Sequence, residues 1–357
     1  MLTRWLIFFC LFALGDVCHG SDMDSRDKEK KNLFILLEKY GNDPDVMARI
    51  HEGQKTNRGV FIATHKTISF QFQNPQYTTK NIDIDFQDLE KNDYLFCSQN
   101  QNRDEAPIVG DLFKAAIKCQ PKETVKDPEN DERKLIDNPV SYPLCQACGK
   151  LTINFPSKQV IGTGFLISPN CVLTAGHCLF DKNYGGGAKE IIFYYSSEGR
   201  WEAVKGKSGF IVSGWKEDTN DACDYGMIVL SKPVNINKYM GLSFKSDEYL
   251  KDLYVNITGF PTEKQNSHDM YTAWGIIKKI RDSFLIRHNV DSSEGQSGSP
   301  IWILEEKCSQ PYSVGIHTQG FRGNRKVNTG VKVDNIHFQN IMGWINHENS
   351  NKNGLVY

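Results

Sequence analysis

Short apolar runs of strand length recur along the second part of the chain, with Gly, Asn and Pro between them. Runs of this kind, bounded by turn residues, are typical of β-strands. They read VIGTGFLIS, CVLTAGHC, EIIFYYSS, GFIVSGW, YGMIVL, LYVNITGF, TAWGIIKKI, SPIWIL and YSVGIHT. Strands that follow one another at such close spacing predict an all-β barrel or sandwich.

Different patterns occupy the two ends. The C-terminal stretch VDNIHFQNIMGWINHEN places Ile336, Ile341, Met342 and Ile345 at helical spacing, which predicts a terminal amphipathic helix. Before about Pro128 the chain is polar. It contains one helical-looking patch, NLFILLEKYG, and alternating strand-like runs such as TISFQFQ.

The stretch KETVKDPENDERK is a charge-dense, proline-containing linker between these two parts. We therefore predict an N-terminal pro-region or accessory region over residues 21–130 and a larger domain over residues 131–357. Lys126, Arg133 and Lys134 are the candidate cleavage points if the protein is made as a zymogen.

The first residues resemble a targeting segment. Arg4 precedes an apolar run from Trp5 to Leu14, which is too short to span a bilayer, so we predict a cleaved secretory signal over residues 1–20. No later segment is long and apolar enough to hold the chain in a membrane. The sequence therefore predicts a secreted, extracellular protein without stable membrane association.

Composition narrows the classes of function. The chain has 357 residues, 39% of them hydrophobic and 24% charged, which is enough for one large domain or two modest ones. Its 42 basic residues nearly balance its 43 acidic residues. Because nucleic-acid-binding proteins carry an excess of positive charge, we expect no nucleic-acid partner.

The expected oxidation state of the cysteines depends on whether the protein is secreted. If the two in the signal segment are removed with it, eight remain, and an even number in an oxidising compartment predicts disulfides. The pairing stays open, with Cys171 and Cys178 as the first candidate pair. Cys145 and Cys148 form a CxxC, a spacing that can supply half of a zinc site, but no second pair with matching spacing follows. We expect no metal and no cofactor.

Three residues have contexts that suit catalysis. Ser297 lies in DSSEGQSGSPIW, between small residues and ahead of an apolar strand. His177 follows the buried strand CVLTA at a turn of small residues that leave its ring open. Asp224 heads the apolar strand of ACDYGMIVL, where a buried carboxylate needs a partner such as an imidazole N–H. Their order and spacing predict a hydroxyl nucleophile with its base and its acid.

The motifs TAGHC, DYGMIVL and GQSGSP resemble the signatures of chymotrypsin-clan serine proteases, and GxSGSP is similar to the glutamyl endopeptidase (staphylococcal and bacillary protease) branch. The resemblance extends from about residue 131 to 345 and includes DERKLIDNPVSYP, GTGFLISPN, ITGFP, GIHTQG and NTGVKVD. It implies two six-stranded antiparallel β-barrels with a C-terminal helix, preceded by an N-terminal pro-region.

The resemblance also implies a mechanism. Ser297 would attack a peptide carbonyl to form an acyl-enzyme, His177 would act as general base, and Asp224 would orient the imidazole. The N–H groups of Gly295 and Ser297 would form the oxyanion hole. Since the base must be neutral, we expect activity to rise through about pH 6 to 7. Protein or peptide substrates and a monomeric enzyme are expected.

Substrate preference has two interpretations. Asp291, six residues before the nucleophile, would accept Arg or Lys side chains by trypsin-like logic. In the glutamyl branch the P1 carboxylate is bound by a hydroxyl and a histidine, which Ser292 and His317 match. We favour Glu at P1. Basic residues of a neighbouring loop could add positive field: Arg322, Arg325 and Lys326.

Two alternatives remain: trypsin-like cleavage after Arg or Lys, and an inactive protease homologue that acts as a binding module.

One departure from the family concerns Cys178. Relatives usually pair this cysteine with one upstream, but the corresponding region has no cysteine around Gly162. A sequon at Asn256 lies within a predicted strand, and we expect no glycan there.

Overall fold

The computed structural model describes residues 67–72, 80–82, 95–96, 114–116, 118, 131–236, 238–264, 268–304, 311–320 and 327–353. The predicted signal segment, the NLFILLEKYG patch, Lys126 and the basic residues Arg322, Arg325 and Lys326 lie outside these ranges. The chain divides into two compact units, residues 1–62 and 63–357, and all described residues belong to the second. The boundaries at residues 20 and 130 stay predictions.

The strands are, in chain order, β1 (Thr67–Gln71), β2 (Lys80–Ile82), β3 (Leu95–Phe96), β4 (Lys134–Ile136), β5 (Cys148–Asn154), β6 (Gln159–Ser168), β7 (Cys171–Thr174), β8 (Phe180–Asp181), β9 (Gly186–Gly187), β10 (Glu190–Ser197), β11 (Arg200–Val212), β12 (Gly226–Leu230), β13 (Gly241–Ser243), β14 (Tyr254–Gly259), β15 (Met270–Arg281), β16 (Leu285–His288), β17 (Pro300–Ile303), β18 (Tyr312–Gln319) and β19 (Asn328–Lys332). The α-helices are α1 (Pro143–Gln146), α2 (Ser213–Asp218), α3 (Asp247–Leu250) and α4 (Asn335–Asn353).

Two closed antiparallel β-barrels of six strands each form the body of the protein. The first has the order β10-β5-β6-β7-β12-β11 and closes because β10 also pairs with β11. The second has the order β17-β14-β15-β16-β19-β18 and closes through β17 and β18. Closure removes the unpaired edges of an open sheet. The predicted all-β class, the two barrels and the C-terminal helix are thus confirmed.

Burial explains why the apolar runs form these strands. All five residues of β12 are buried, because the strand lies in the barrel wall between β7 and β11 and its run GMIVL is apolar on both faces. Strand β5 instead alternates buried and half-buried positions, as expected for a wall with one wet face. The predicted strand run CVLTAGHC ends at Thr174, after which residues Gly176–Cys178 form a 3₁₀ turn.

Strands from outside the two barrels extend them. β1 pairs with β11, and β2 pairs with β1, so the run TISFQFQ supplies a strand as predicted. β4 pairs with β15 of the second barrel. The buried Asn256 side chain exchanges two hydrogen bonds with the backbone of Lys114, at 2.9 and 3.0 Å. Its amide nitrogen therefore donates a hydrogen bond in the folded protein, and the absence of a glycan there stays a prediction.

The cysteines depart from the predicted pairing. Cys178 carries a free thiol, so the Cys171–Cys178 disulfide is not formed and that prediction is wrong. No disulfide joins any two of the five described cysteines, all of which are buried. Cys171 lies in β7, whereas Cys178 lies beyond the end of that strand in the 3₁₀ turn. Five further cysteines lie outside the described ranges: Cys10 and Cys18 of the predicted signal segment, and Cys97, Cys119 and Cys308.

Cys178 has no disulfide partner at position 162, where the chain has a glycine. An ideal Cβ placed on Gly162 would lie 3.0 Å from the Cys178 sulfur, close enough for the S–S bond of about 2 Å that a disulfide needs. We predict that Gly162→Cys forms this bond on oxidation and stabilises the fold by about 3 kcal/mol, the value for a loop of about 15 residues.

The measurement is the melting temperature with and without reductant, together with the mass of the intact protein after thiol labelling. Gly162→Cys in a Cys178→Ser background is the matched control and should show no effect of reductant. An oxidised Gly162→Cys protein in which the thiol introduced at position 162 and the thiol of Cys178 both still react with the label would contradict the prediction.

None of the helices in the described part of the chain is both long enough and apolar enough to cross a membrane.

Candidate active site

His177 and Asp224 meet because their strands are neighbours. β7 and β12 run antiparallel with Thr174 opposite Gly226, so the residues just after β7 and just before β12 emerge at the same end of the barrel wall. His177 sits in the 3₁₀ turn that follows β7, and Asp224 follows another 3₁₀ turn, Asp221–Cys223. The register therefore brings together two residues that are far apart in sequence.

Two hydrogen bonds join this pair. The Nδ1 atom of His177 lies 2.8 Å from Oδ2 of Asp224, and the backbone N–H of His177 donates to Oδ1 at 2.8 Å. Because a carboxylate can only accept, Nδ1 carries the proton and Nε2 is left to accept one. Asp224 is fully buried, and these bonds offset the cost of placing its charge away from water.

The pair also sets the basicity of the imidazole. Burial acts to lower the pKa of His177, but the negative charge of Asp224, the neighbouring Cys178 side chain and the hydrogen bond to Asp224 together outweigh burial and raise that pKa well above its ordinary value. One quarter (25%) of the His177 side chain is exposed, so the ring remains accessible from one side. The expected onset of activity therefore moves to a higher pH than the range of 6 to 7 that the sequence predicted.

Ser297 lies in the loop before β17 of the second barrel. Its hydroxyl donates to the carbonyl of Thr318 at 3.4 Å, and its own carbonyl lies 3.7 Å from the sulfur of Cys178, the residue next to His177. Within the described residues, no hydrogen bond joins the Ser297 hydroxyl to His177. The serine is thus beside the histidine turn, with its hydroxyl on the β18 side.

Thr163 fixes the two barrels to each other at this point. Its N–H donates to the carbonyl of Ser297 at 2.8 Å, and its hydroxyl donates to the carbonyl of Gly295 at 2.9 Å. Its own carbonyl accepts from the hydroxyl of Thr174, at the end of β7, at 2.7 Å. A buried threonine of the first barrel therefore holds the serine loop of the second.

Two glycines shape the serine loop. Gly295 has φ +92° and Gly298 has φ +89°, a backbone conformation that L side chains rarely adopt. A Cβ on Gly298 would lie 2.1 Å from the carbonyl of Thr163, so the close approach of the barrels also requires glycine. In the described part of the chain, the N–H groups of Gly295 and Ser297 have no hydrogen-bond partner, which is what an oxyanion hole needs.

The residues predicted to bind substrate have different surroundings. His317 is buried in β18, and its Nδ1 lies 3.3 Å from Nε2 of the buried His288. The hydroxyl of Ser292 accepts from the side chain of Asn328 at 2.8 Å. One carboxylate oxygen of Asp291 accepts from the N–H of Glu132 at 2.8 Å, so Asp291 contacts the N-terminal segment of the domain.

Sequence reasoning missed several residues that support this site. Thr163 lies in the motif GTGFLISPN, and nothing in that motif predicts its two contacts with the serine loop. His288 lies in LIRH, a four-residue strand with no motif of its own. Among the described residues, no group of three or more His, Cys, Asp or Glu side chains is arranged to hold a metal ion.

Two antiparallel barrels, with a His–Asp pair on the first and a serine loop with free backbone N–H groups on the second, define the class of chymotrypsin-like serine endopeptidases. The comparisons with known proteins agree. The sequence model of the Trypsin family matches residues 149–345, and the chain belongs to that family. It is a hydrolase that acts on protein substrates.

Similar curated proteins come from bacilli. A glutamyl endopeptidase of Bacillus licheniformis is 30% identical over 252 residues, which cover 67% of this chain and 77% of the relative. An extracellular metalloprotease of Bacillus subtilis is 32% identical over 224 residues, or 60% of this chain and 68% of the relative. A solved Glu endopeptidase in complex with MPD matches in fold with a TM-score of 0.50 and 22% identity, and covers 60% of this chain and 96% of that one.

Proposed function

We propose that this protein is a secreted serine endopeptidase that cleaves after glutamate, with Ser297 as nucleophile, His177 as general base and Asp224 as the orienting acid. The observation that carries the assignment of the base is the His177–Asp224 hydrogen bond of 2.8 Å, which leaves Nε2 of the imidazole available to take a proton. The observation that carries the preference for glutamate is the buried pair of His317 and His288.

The chemistry follows from these positions. Ser297 turns its hydroxyl from the Thr318 carbonyl towards Nε2 of His177, loses its proton to that nitrogen and attacks the peptide carbonyl. The N–H groups of Gly295 and Ser297 stabilise the oxyanion. His177 then gives the proton to the leaving amine, and a water molecule hydrolyses the acyl-enzyme by the same steps. Asp224 stabilises the imidazolium in each step.

A relay of hydrogen bonds supports His317 as the residue that recognises a carboxylate. The N–H of Val290 donates to Nδ1 of His288 at 3.2 Å, so a neutral His288 carries its proton on Nε2. That N–H donates to Nδ1 of His317, which places the proton of His317 on its own Nε2. The His317 ring therefore offers an N–H donor, and a glutamate carboxylate is an acceptor that matches it.

The charge state of His317 is set by burial. Burial lowers the pKa of His317 to about 3, and the nearby His177 acts in the same direction. His317 is consequently a neutral donor throughout the neutral range. Selectivity for glutamate thus rests on a hydrogen bond from a neutral ring in a dry environment, where such bonds are strong.

The surroundings of Asp291 weigh against the trypsin-like alternative. A pocket for Arg or Lys needs a carboxylate directed at the substrate, whereas a carboxylate oxygen of Asp291 accepts from Glu132 in the N-terminal segment. The printed name of the Bacillus licheniformis relative, a glutamyl endopeptidase, favours the same conclusion.

The apolar run near the N-terminus and the extracellular relative from Bacillus subtilis support secretion. The intact set of Ser297, His177 and Asp224 weighs against an inactive binding module.

The test is a P1 profile on matched peptides with Glu, Gln, Asp, Lys or Arg at P1. We expect Glu to be preferred, and we expect His317→Ala to lower kcat/KM for Glu about 10- to 100-fold relative to Gln, since a hydrogen bond to a charged group contributes about 1.5–3 kcal/mol. Asp291→Asn is the matched variant for the alternative, and it should leave cleavage after Glu intact. Preferred cleavage after Lys or Arg that Asp291→Asn abolishes would contradict the proposal.

The same substrates give a pH prediction. Because the pKa of His317 in the free enzyme is about 3, the ring does not change charge between pH 6 and 8. The ratio of kcat/KM for Glu to that for Gln should therefore stay constant over this range, although both values rise as His177 loses its proton. A ratio that increases as the pH falls from 7 to 6 would mean that the recognising group is a cation, against this account.

A further inference from the structure

The segment just before the first barrel lies against the loop that carries the nucleophile. β4 pairs with β15, with Lys134 opposite Thr272, and this pairing fixes the position of the preceding residues. The N–H of Glu132 donates to Asp291 at the start of the loop. Lys264 forms an ion pair with Asp131 at 2.6 Å. Residues 131–134 are thereby attached to the protein at both ends.

Arg133 reaches from this segment into the loop. Its side chain is only 10% exposed, and Nη1 donates to the hydroxyl of Ser293 at 2.5 Å and to the amide oxygen of Gln296 at 3.4 Å. The same nitrogen forms an ion pair with Glu263 at 2.6 Å. On the other side of the guanidinium, Nε bonds Asp131 at 2.9 Å.

The residues that Arg133 contacts also hold one another. The hydroxyl of Ser293 donates to Glu263 at 2.7 Å, and the N–H of Ser293 donates to the amide oxygen of Gln296 at 3.0 Å. Gln296 is fully buried and is the residue immediately before the nucleophile. Arg133 is therefore the cation at the centre of a network that ends next to Ser297.

We propose that Arg133 is a positioning residue for catalysis: it holds residues 291–296 in the conformation in which the N–H groups of Gly295 and Ser297 form the oxyanion hole. The inference rests on the proposed function of that site. Gly295 has φ +92°, an uncommon conformation that persists only where neighbouring contacts enforce it. Charge-assisted hydrogen bonds from a planar guanidinium are suited to this task, since they are stronger than neutral bonds and fixed in direction.

This role restricts where the chain can be processed. Cleavage after Arg133 or Lys134 would separate the guanidinium from β4, which holds it in place. Cleavage before Asp131 would leave all these contacts intact. Of the three candidate cleavage points in the linker, only Lys126 is compatible with the role of Arg133. The conformation of residues 291–296 then depends on the side chain of Arg133, which lies inside the segment 131–134.

The experiment compares Arg133→Ala and Arg133→Lys with Arg200→Ala, a change at the exposed first residue of β11 that serves as the matched control. We expect Arg133→Ala to lower kcat about 10²-fold with a smaller change in KM, the size of the loss of one oxyanion-hole donor. Arg133→Lys should retain part of the activity, and Arg200→Ala all of it. Guanidinium at low, non-denaturing concentration should partly restore kcat of Arg133→Ala but leave the control unchanged.

A folded Arg133→Ala protein with the kcat of the unmodified enzyme would overturn the inference, as would a loss that guanidinium does not relieve and that appears only in KM. If Arg133→Ala does not fold, Ser293→Ala and Arg133→Lys decide, because each weakens the contact with the loop but keeps a cation beside Asp131 and Glu263. Normal kcat in both would also overturn it. Failure of the proposed function is distinguishable, since the unmodified enzyme would then be inactive or would prefer Lys or Arg at P1, whereas failure of this inference leaves cleavage after Glu unchanged in the Arg133 variants.

Discussion

Replacing Ser297 by alanine is expected to lower kcat by about 10⁶-fold, the size of the loss when the nucleophile of a serine protease is removed. Among the described residues the hydroxyl makes one hydrogen bond, to the carbonyl of Thr318 at 3.4 Å, so its removal costs the fold little. The melting temperature should therefore remain close to that of the unmodified protein. What is lost is the formation of the acyl-enzyme.

The measurement is single-turnover and steady-state cleavage of a Glu-containing peptide, with Ser157→Ala as a control at an exposed serine. The control should retain full activity. Ser297→Ala should keep a small residual rate from the oxyanion hole and from substrate binding. A folded Ser297→Ala protein that cleaves at the normal rate would show that another residue is the nucleophile.

Replacing Asp224 by asparagine has the second largest expected effect. In this class of triad the change lowers kcat by about 10⁴-fold, because an amide does not hold the imidazole in the tautomer with its proton on Nδ1. Here the effect on pH dependence is equally informative. The carboxylate raises the pKa of His177 in the native enzyme, so its removal should move the acidic limb of the pH profile of kcat/KM to lower pH.

The direction in which the acidic limb moves follows from the role of His177 as the base. A base with a raised pKa becomes neutral, and hence active, only at higher pH, and loss of the neighbouring negative charge reverses that shift. Asp218→Asn, at the exposed end of α2, is the matched control and should change neither the rate nor the limb. A profile of Asp224→Asn whose acidic limb stays in place would mean that Asp224 does not interact with the titrating group.

The sequence could predict the three catalytic candidates because each has a local signature: small residues around Ser297 and His177, and an apolar strand after Asp224. Their pairing was harder to predict. It depends on the register of β7 against β12, which places Thr174 opposite Gly226, and no local pattern fixes a register between strands so far apart in sequence. Only the resemblance to a known family supplied that information.

Three of the twelve barrel strands were absent from the predicted runs: β5, β16 and β19. β16 has four residues and includes Arg287, and β19 reads NTGVK, in which Asn328, Thr329 and Lys332 are buried polar residues. Hydrophobic patterns cannot reveal such strands, because polar side chains with partners elsewhere in the chain interrupt the apolar run. Lys332, for example, pairs with Asp247.

The specificity residues illustrate the same limit. Asp291 and Ser292 are adjacent in a loop, and nothing in their sequence shows which of them is directed at Glu132 and which at Asn328. His317 was found through its motif, but the partner that fixes its tautomer, His288, lies on a different strand, β16. The Cys171–Cys178 pairing was predicted from closeness in sequence alone, whereas the nearest approach to the Cys178 sulfur across strands is at Gly162, which has no thiol.

The most direct test of the central claim is the site at which a fluorophosphonate becomes attached. The purified protein at neutral pH should form one covalent adduct, and peptide mass spectrometry should place it on Ser297, with much slower labelling in Asp224→Asn. A folded protein that remains unlabelled both at full length and after cleavage before Asp131, or that is labelled on a different serine, would contradict the account.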